Sequence, residues 1–195
     1  MFTGIITDIG IISAIHKDGD TRIKVSTHYD TSSIDLGASI ACAGTCLTVI
    51  ETGADWFAVQ ASAETLSKTT LGTWQDNTRI NLERALQAGD ELGGHLVSGH
   101  VDGVGEVTAI SPDGESVRVS FEAPADLLSL IAAKGSITID GVSLTVNEVS
   151  NLSFGVNLIP HTQQITTLGS LKEGQRVNLE IDQLARYVAR ALGKE

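Results

Sequence analysis

The sequence is poor in the residue types that mark several classes of protein. Only 13 Lys and Arg stand against 24 Asp and Glu, which gives a formal charge of −11. This is the wrong sign for neutralising nucleic-acid phosphates or an anionic membrane, so we expect neither partner. No run approaches the ~18 consecutive apolar residues of a membrane span, and the first fifteen residues lack a basic segment and include Asp8. These absences predict a cytoplasmic protein.

Cysteine is also scarce. The two cysteines, Cys42 and Cys46, lie four residues apart, so a disulfide between them would close nothing larger than a turn. A metal site would need two further ligands, and the sequence has no second Cys/His cluster of the usual spacing. His95 and His100 do not have the i, i+4 spacing of a helical zinc pair, and glycines flank them. The sequence therefore predicts no metal site.

What the chain does contain favours an all-β fold. Hydrophobic residues make up 42% and charged residues 19%, which is typical of a chain that folds around a core. It has 20 Gly and a single Met, with Val, Ile and Thr throughout. Alternating segments at 22–26, 48–50 and 79–82 predict short strands separated by Gly, Asp and Asn.

An internal repeat organises the chain. Three blocks of the first half return 97 residues later: Gly44–Val49 as Gly141–Val146, Glu64–Gly72 as His161–Gly169, and Arg79–Glu83 as Arg176–Glu180. A period this long exceeds the 20 to 50 residues of solenoid repeats, so each copy is predicted to be a small domain. Five or six short strands per copy suit a closed antiparallel barrel, which has no exposed edge. We predict domains at 1–94 and 95–182, and a short helix at 125–133.

The segment 183–195 differs from both copies. Leu184, Tyr187, Val188, Ala191 and Leu192 fall at i, i+3, i+4, i+7 and i+8, and Asp182 precedes them as an N-cap. This pattern predicts an amphipathic helix too short to be stable alone. Its apolar face would pack either on its own barrel or on neighbouring subunits.

The copies differ at polar positions. Cys46 corresponds to Ser143, Ile5 to His100, Glu64 to His161, and Ala85 to Asp182, so the second copy holds more ionisable groups. Each position also has a structural interpretation. Ser143 follows a glycine and could be a turn residue, and His100 could be an ordinary surface or core histidine. Lys134 could lie at a solvated helix end, and Thr48 and Thr145 could simply be strand residues. Cys46 could be a small buried residue.

Several motifs together resemble the riboflavin synthase family of the α-chain type, over essentially the whole chain. They are Met1–Ile5, Cys46–Val49, Gly93–Val101, Ile139–Val146 and Thr166–Gly169. The resemblance implies two similar six-stranded antiparallel Greek-key β-barrels and a C-terminal helix, 183–195, that associates as a homotrimer with sites between subunits. It also implies dismutation of two 6,7-dimethyl-8-ribityllumazine molecules, the last step of riboflavin biosynthesis. The products are riboflavin and 5-amino-6-(D-ribitylamino)uracil, formed by a transferase reaction without cofactor or metal. Association with lumazine synthase is a further expectation.

The resemblance assigns site residues position by position. Those implied in catalysis are His100, Ser143, Cys46, Thr145, Ser39 and Asp182. Those implied in substrate binding are Gly4, Ile5, Ile6, Cys46, Leu47, Thr48, Gln60, Ala61, Ser62, Ala63, Glu64, Thr65, Gly99, His100, Val101, Lys134, Ser143, Leu144, Thr145, Asn157, Leu158, Ile159, Pro160, His161 and Thr162.

Two other functions remain as alternatives. Lumazine proteins have this fold and bind the same ligand without catalysis, but such relatives lose polar residues of the second half that are present here. A flavin domain of a reductase would predict a following nicotinamide-binding βαβ unit, and no Gly-x-Gly-x-x-Gly occurs in that context.

Overall fold

A computed structural model describes residues 1–193 and confirms the predicted all-β architecture. Within these residues, twelve strands form two closed antiparallel barrels. The first barrel contains β1 (Asp8–Lys17), β2 (Thr21–Ser26), β3 (Ser39–Cys42), β4 (Thr45–Thr52), β5 (Trp56–Ala61) and β6 (Arg79–Arg84). The second contains β7 (Gly103–Asp113), β8 (Ser116–Glu122), β9 (Ser136–Ile139), β10 (Val142–Val149), β11 (Ser153–Leu158) and β12 (Arg176–Ile181).

The two barrels share one topology. The order around the first is β1-β2-β5-β4-β3-β6, and the second repeats it as β7-β8-β11-β10-β9-β12. In the first barrel β3, β4 and β5 are linked by hairpins, and the strand that precedes them, β2, pairs with the last of them, β5. This arrangement is a Greek key, and the second barrel repeats it. Register shifts recur at equivalent places, after Ile12 and Val107 on the first strands and after Val49 and Val146 on the fourth. Such bulges bend a strand, as closure of a small barrel requires.

Each barrel has its own apolar core. Phe57, Ile12 and Ile23 are fully buried in the first. In the second, Phe121 and Phe154 stack with ring centroids 5.5 Å apart. Inward-facing residues alternate with polar ones along the strands, which is the sequence pattern that predicted them.

Four α-helices lie outside the barrel walls in the described part of the chain. They are α1 (Ala63–Lys68), α2 (Ala125–Leu128), α3 (Pro160–Ile165) and α4 (Gln183–Ala191). The expectation of a helix over 125–133 was wrong in length. After Leu128 the hydrogen bonds span three residues instead of four, because Leu130 N and Ile131 N donate to the carbonyls of Leu127 and Leu128. Ile131 then enters the core. None of the helices in residues 1–193 is long and apolar enough to cross a membrane.

Two equivalent asparagines, Asn81 and Asn178, form hydrogen bonds between the barrels in a pseudo-two-fold arrangement. Asn81 Nδ2 donates to the Asp140 carbonyl and Asn178 Nδ2 donates to the Ala43 carbonyl, both at 2.9 Å. Their side-chain oxygens accept from Thr167 N at 2.8 Å and Thr70 N at 2.7 Å. Each asparagine thus satisfies backbone groups that the duplication buries between the barrels, which orients one barrel against the other.

Candidate functional site

The site is built where the first segment of each copy crosses to the other barrel. Glu83 and Glu180, equivalent residues near the ends of β6 and β12, are buried. Glu83 accepts from Thr3 N and Oγ1, both at 2.7 Å, and from Gly4 N at 2.9 Å. Glu180 accepts from Ser98 N at 2.7 Å, from Ser98 Oγ at 2.6 Å, and from Gly99 N at 2.9 Å. Burial raises the pKa of both carboxyls, and these hydrogen bonds oppose the rise.

The anchored glycines then meet the opposite barrel at the two nucleophile-capable positions. Ser143 N donates to the Gly4 carbonyl and Cys46 N donates to the Gly99 carbonyl, both at 2.8 Å. Gly4 and Gly99 have φ of +77° and +78°, and a Cβ on either would stand 2.5 Å from Ser143 Cβ or 2.6 Å from Cys46 Cβ. Only glycine therefore fits at these crossings.

Ser143 has a partner that sequence reasoning did not assign to the site. The Nδ1 atom of His95 lies 2.7 Å from Ser143 Oγ, and its Nε2 lies 3.3 Å from Thr138 Oγ1. The backbone of His95 donates to the Thr3 carbonyl at 3.1 Å, which ties the glycine-rich loop to the crossing. Gly94 passes so close that a Cβ there would lie 2.1 Å from the Thr3 carbonyl oxygen and 2.9 Å from Ser143 Oγ.

His95 is half-buried, and this burial lowers the pKa of its imidazole. The charge of Asp182 acts in the opposite direction but is the smaller cause. Asp182 also accepts from Leu184 N at 2.9 Å and so caps α4, as the sequence predicted. At neutral pH the imidazole is therefore uncharged and has one nitrogen free to accept a proton.

Cys46 occupies a different environment from its counterpart. Its partly buried side chain packs against the apolar cluster of Phe2, Ala41 and Val97. Within residues 1–193 its thiol has no hydrogen-bond partner, whereas Ser143 is bonded to an imidazole. Both cysteines are free thiols. Ser143 and Cys46, which the sequence places at equivalent positions of the two copies, therefore have different chemical surroundings.

The strand register brings the predicted binding segments of each barrel side by side. Val49 pairs with Val59 in antiparallel strands, so Cys46–Thr48 on β4 lie beside Gln60–Ala61 on β5. Val146 pairs with Val156, which places Ser143–Thr145 beside Asn157–Ile159 in the same way. Buried Oδ1 of Asn157 has no hydrogen-bond partner.

Other predicted residues lie near these strands with varied exposure. Thr48, Thr145, His100 and Lys134 are exposed, and Ser39 pairs with Thr48 across β3 and β4. Lys134 has φ of +68° and donates its backbone N–H to the Val146 carbonyl at 2.8 Å. The side chains of Ile6, Leu47, Ala61 and Leu158 are buried in the cores, so only their backbone is placed to face a ligand.

Three of the predicted positions, Ile5, Ile6 and Ala63, line three separate cavities. A cavity of about 550 Å³ contains Ile5 together with Thr3, Tyr29 and Glu83. Another, of about 340 Å³, contains Ala63 beside Leu66 and Trp74. Several of the other predicted residues lie on equivalent strands of the two barrels.

His95, Glu83 and Glu180 make contacts at the candidate site that the sequence did not predict. Glu83 and Glu180 belong to a repeated block, and His95 lies in the glycine-rich motif. All three residues therefore lie in recognisable motifs. Their hydrogen-bond partners lie 48 to 82 residues away in the chain, so no local pattern could predict these contacts.

Comparisons with known proteins agree with this geometry. The lumazine binding domain matches twice, at residues 3–85 and 98–182. A riboflavin synthase of Brucella abortus (strain 2308) is 50% identical over 97% of both chains, and one of Actinobacillus pleuropneumoniae is 43% identical over all of this chain and 91% of the other. The crystal structure of LumP complexed with riboflavin superposes with a TM-score of 0.85 at 30% identity, covering 93% of this chain and 99% of LumP. The chain belongs to the lumazine-binding family and, within it, to the riboflavin synthases.

Proposed function

We propose that the chain catalyses the dismutation of two 6,7-dimethyl-8-ribityllumazine molecules to riboflavin and 5-amino-6-(D-ribitylamino)uracil. The observation that carries the proposal is the pair of equivalent surfaces, one presenting Ser143 and the other Cys46 at the same point of the barrel. Two identical substrates that exchange a four-carbon unit must be held together in a defined orientation, and a duplicated fold supplies two related sites for them.

The reaction makes three demands on these residues. A base must take a proton from the acidic C7 methyl of one lumazine, and exposed His100, or a water that it positions, is our candidate. A nucleophile must add to C7 of the other molecule, for which Ser143, Cys46 or water are candidates. Ser39, Thr145 and Asp182 complete the proposed catalytic set.

Polar groups must hold the pyrimidinedione edges. We propose that the substrates are bound by Thr48, Thr145 and Lys134, and by the segments 4–6, 60–65, 99–101 and 157–162. The register of β10 and β11, which places Asn157 beside Ser143–Thr145, supports this assignment. No metal or cofactor enters the proposed reaction.

We propose that the chain acts as a homotrimer, with each site formed by the first barrel of one subunit and the second barrel of the next. Leu184, Tyr187, Val188 and Leu192 of α4 are 56% to 72% exposed in the single chain, so its own barrel does not cover this face. The predicted binding segments lie on both barrels, which agrees with a site that is completed between chains. The domain limits 1–94, 95–182 and 183–195, whose last two residues lie outside the described part, stay predictions, as do the cytoplasmic location and an association with lumazine synthase.

A second function is lumazine or flavin binding without turnover. It is favoured by the likeness to the crystal structure of LumP complexed with 6,7-dimethyl-8-(1′-D-ribityl)lumazine, which has a TM-score of 0.83 at 28% identity. The polar second barrel, with His95, His100 and Ser143, favours catalysis instead.

Incubating the purified protein with the lumazine alone separates the two functions. Catalysis predicts that lumazine absorbance falls while flavin absorbance grows over many turnovers. Stable binding of one fluorescent ligand with no flavin formed would select the binding protein.

A further inference from the structure

The structure distinguishes the two side chains, Ser143 and Cys46, that are candidates for the nucleophile. Ser143 Oγ lies 2.7 Å from an imidazole nitrogen, which is the distance of a short, well-formed hydrogen bond. Cys46, the equivalent residue, faces an apolar cluster and has no base beside it within residues 1–193. A serine hydroxyl is a weak nucleophile unless an adjacent base accepts its proton. Only one of the two equivalent positions has that base.

The surroundings of His95 favour this use. Its backbone is fixed to Thr3, its Nε2 meets the buried Thr138 hydroxyl, and the neighbouring Gly94 admits no larger side chain. In the tautomer that carries the proton on Nε2, the Thr138 hydroxyl accepts this Nε2–H and the Nδ1 lone pair faces the Ser143 hydroxyl; this is the tautomer in which His95 can act as a base toward Ser143. The ring is thereby oriented in the way that a third group orients the base in other nucleophile–base pairs.

We infer that His95 is a positioning residue that activates Ser143, and that Ser143 is the nucleophile that adds to C7 of one bound lumazine. As the Oγ–C7 bond forms, the Ser143 proton moves to His95 Nδ1, and the π pair of the polarised C7–N8 bond moves onto the ring nitrogen and its conjugated pyrimidinedione, while the C7–N8 σ bond stays intact. In the reverse step the Oγ–C7 bond breaks and His95 returns the proton, so the pair is regenerated. This inference rests on the proposed function and deepens it.

The pH dependence follows from the groups around the ring. Ser143 and Thr138 are neutral hydroxyls, and Asp182 is the charged group whose field acts on the imidazole. Burial lowers the pKa of His95, so the base form persists to more acidic pH than for a free histidine. Protonation at low pH would remove the acceptor, which predicts an acidic limb in the profile of kcat against pH.

The experiment compares His95→Asn and His95→Gln with wild type in single-turnover and steady-state assays. An Asn amide can keep a hydrogen bond to Ser143 but cannot take its proton. We expect kcat to fall by roughly 10²-fold in both variants, with little change in KM and with an acidic limb that no longer contains the contribution of His95. His16→Gln, an exposed histidine on β1, is the matched control and should behave as wild type.

Two further measurements keep the test decisive if His95 variants are less stable. The double variant His95→Asn/Ser143→Ala should be no slower than Ser143→Ala alone, because the two residues act as one unit. Thr138→Val, which removes the partner of Nε2, should lower kcat while leaving lumazine binding intact. Wild-type turnover with an unchanged pH profile in His95→Asn, or additive losses in the double variant, would overturn the inference alone. A wild-type chain that binds lumazine and forms no riboflavin would overturn the proposed function as well.

Discussion

At the scale of single residues, the two barrels are chemically unequal at equivalent points. Ser143 lies beside His95, and Cys46 lies in an apolar cluster. We expect Ser143→Ala and His100→Gln each to lower kcat by roughly 10²-fold, the contribution typical of general acid–base groups. Cys46→Ser should have a smaller effect, since it keeps a nucleophile-capable group. Single-turnover rates measure this, with Ser111→Ala on an exposed part of β7 as the control; full activity of both variants would assign Ser143 and His100 to packing and turns.

Asp140 is a buried residue with no catalytic role in this account, and it makes stability depend on pH. Burial raises its pKa from 3.8 to about 7, while a hydrogen bond from Asn178 N at 2.8 Å opposes this. Because the folded pKa lies above the unfolded one, the contribution of Asp140 to stability is full below about pH 4 and is lost as the pH rises through about 7. The loss is on the order of 4 kcal/mol.

Asp140→Asn should remove this dependence, since an amide oxygen can still accept from Asn178. Urea unfolding at pH 5 and pH 8 should show a smaller difference in the variant than in wild type, with the larger gain at pH 8. Asp18→Asn, in an exposed turn, is the control and should leave the difference unchanged. Equal pH dependence in wild type and Asp140→Asn would show that Asp140 is ionised in the folded protein without penalty.

At the scale of elements, the crossings between barrels depend on glycine for two separable reasons. Gly99 and Gly19 both have positive φ, but a Cβ at Gly19 meets nothing within 4 Å, whereas one at Gly99 meets Cys46 Cβ at 2.6 Å. Gly19→Ala should cost about 1 kcal/mol of unfolding free energy, from backbone strain alone. Gly99→Ala should cost several-fold more and should also reduce lumazine binding. Equal losses in thermal and urea unfolding would mean that the crossing tolerates displacement.

The helix α4 tests the proposed assembly. Arg186 ties it to the barrel through Asp102, with Nη1–Oδ1 and Nη2–Oδ2 distances of 2.7 and 3.0 Å, while its apolar face stays exposed. We expect Tyr187→Glu/Val188→Glu, and deletion of 183–195, to give folded monomers with little activity, because the site would be split between chains. Leu36→Glu, equally exposed but distant in sequence, is the control. A trimer of unchanged mass by light scattering in the double variant would exclude this face as the contact.

The elements also show what a sequence can predict. Strands β2, β4 and β6, the N-cap Asp182 and the duplication were predicted because they depend on alternation, local hydrogen bonds and identity at a fixed offset. The length of α2 was not, because core packing of Ile131 decides where that helix ends. Both Glu83 and His95 escaped assignment, since each acts through a partner that only the folded chain brings close.

At the scale of the whole molecule, duplication followed by divergence explains the architecture and the chemistry together. Asn81 and Asn178 join the barrels almost symmetrically, while Ser143 with His95 and Cys46 without a base break the symmetry. A symmetric frame places two identical molecules in equivalent surroundings. In the proposed mechanism, the asymmetric pair of side chains lets one molecule give the four-carbon unit and the other take it.

We propose that the chain supplies everything needed to turn two lumazines into two different products. The most direct test is the product balance after incubation with 6,7-dimethyl-8-ribityllumazine in buffer containing a chelator and no nucleotide. The account predicts that riboflavin and 5-amino-6-(D-ribitylamino)uracil form in equal amounts, each equal to half of the lumazine consumed. Tight binding of the lumazine without either product, or turnover that requires an added metal or cofactor, would contradict it.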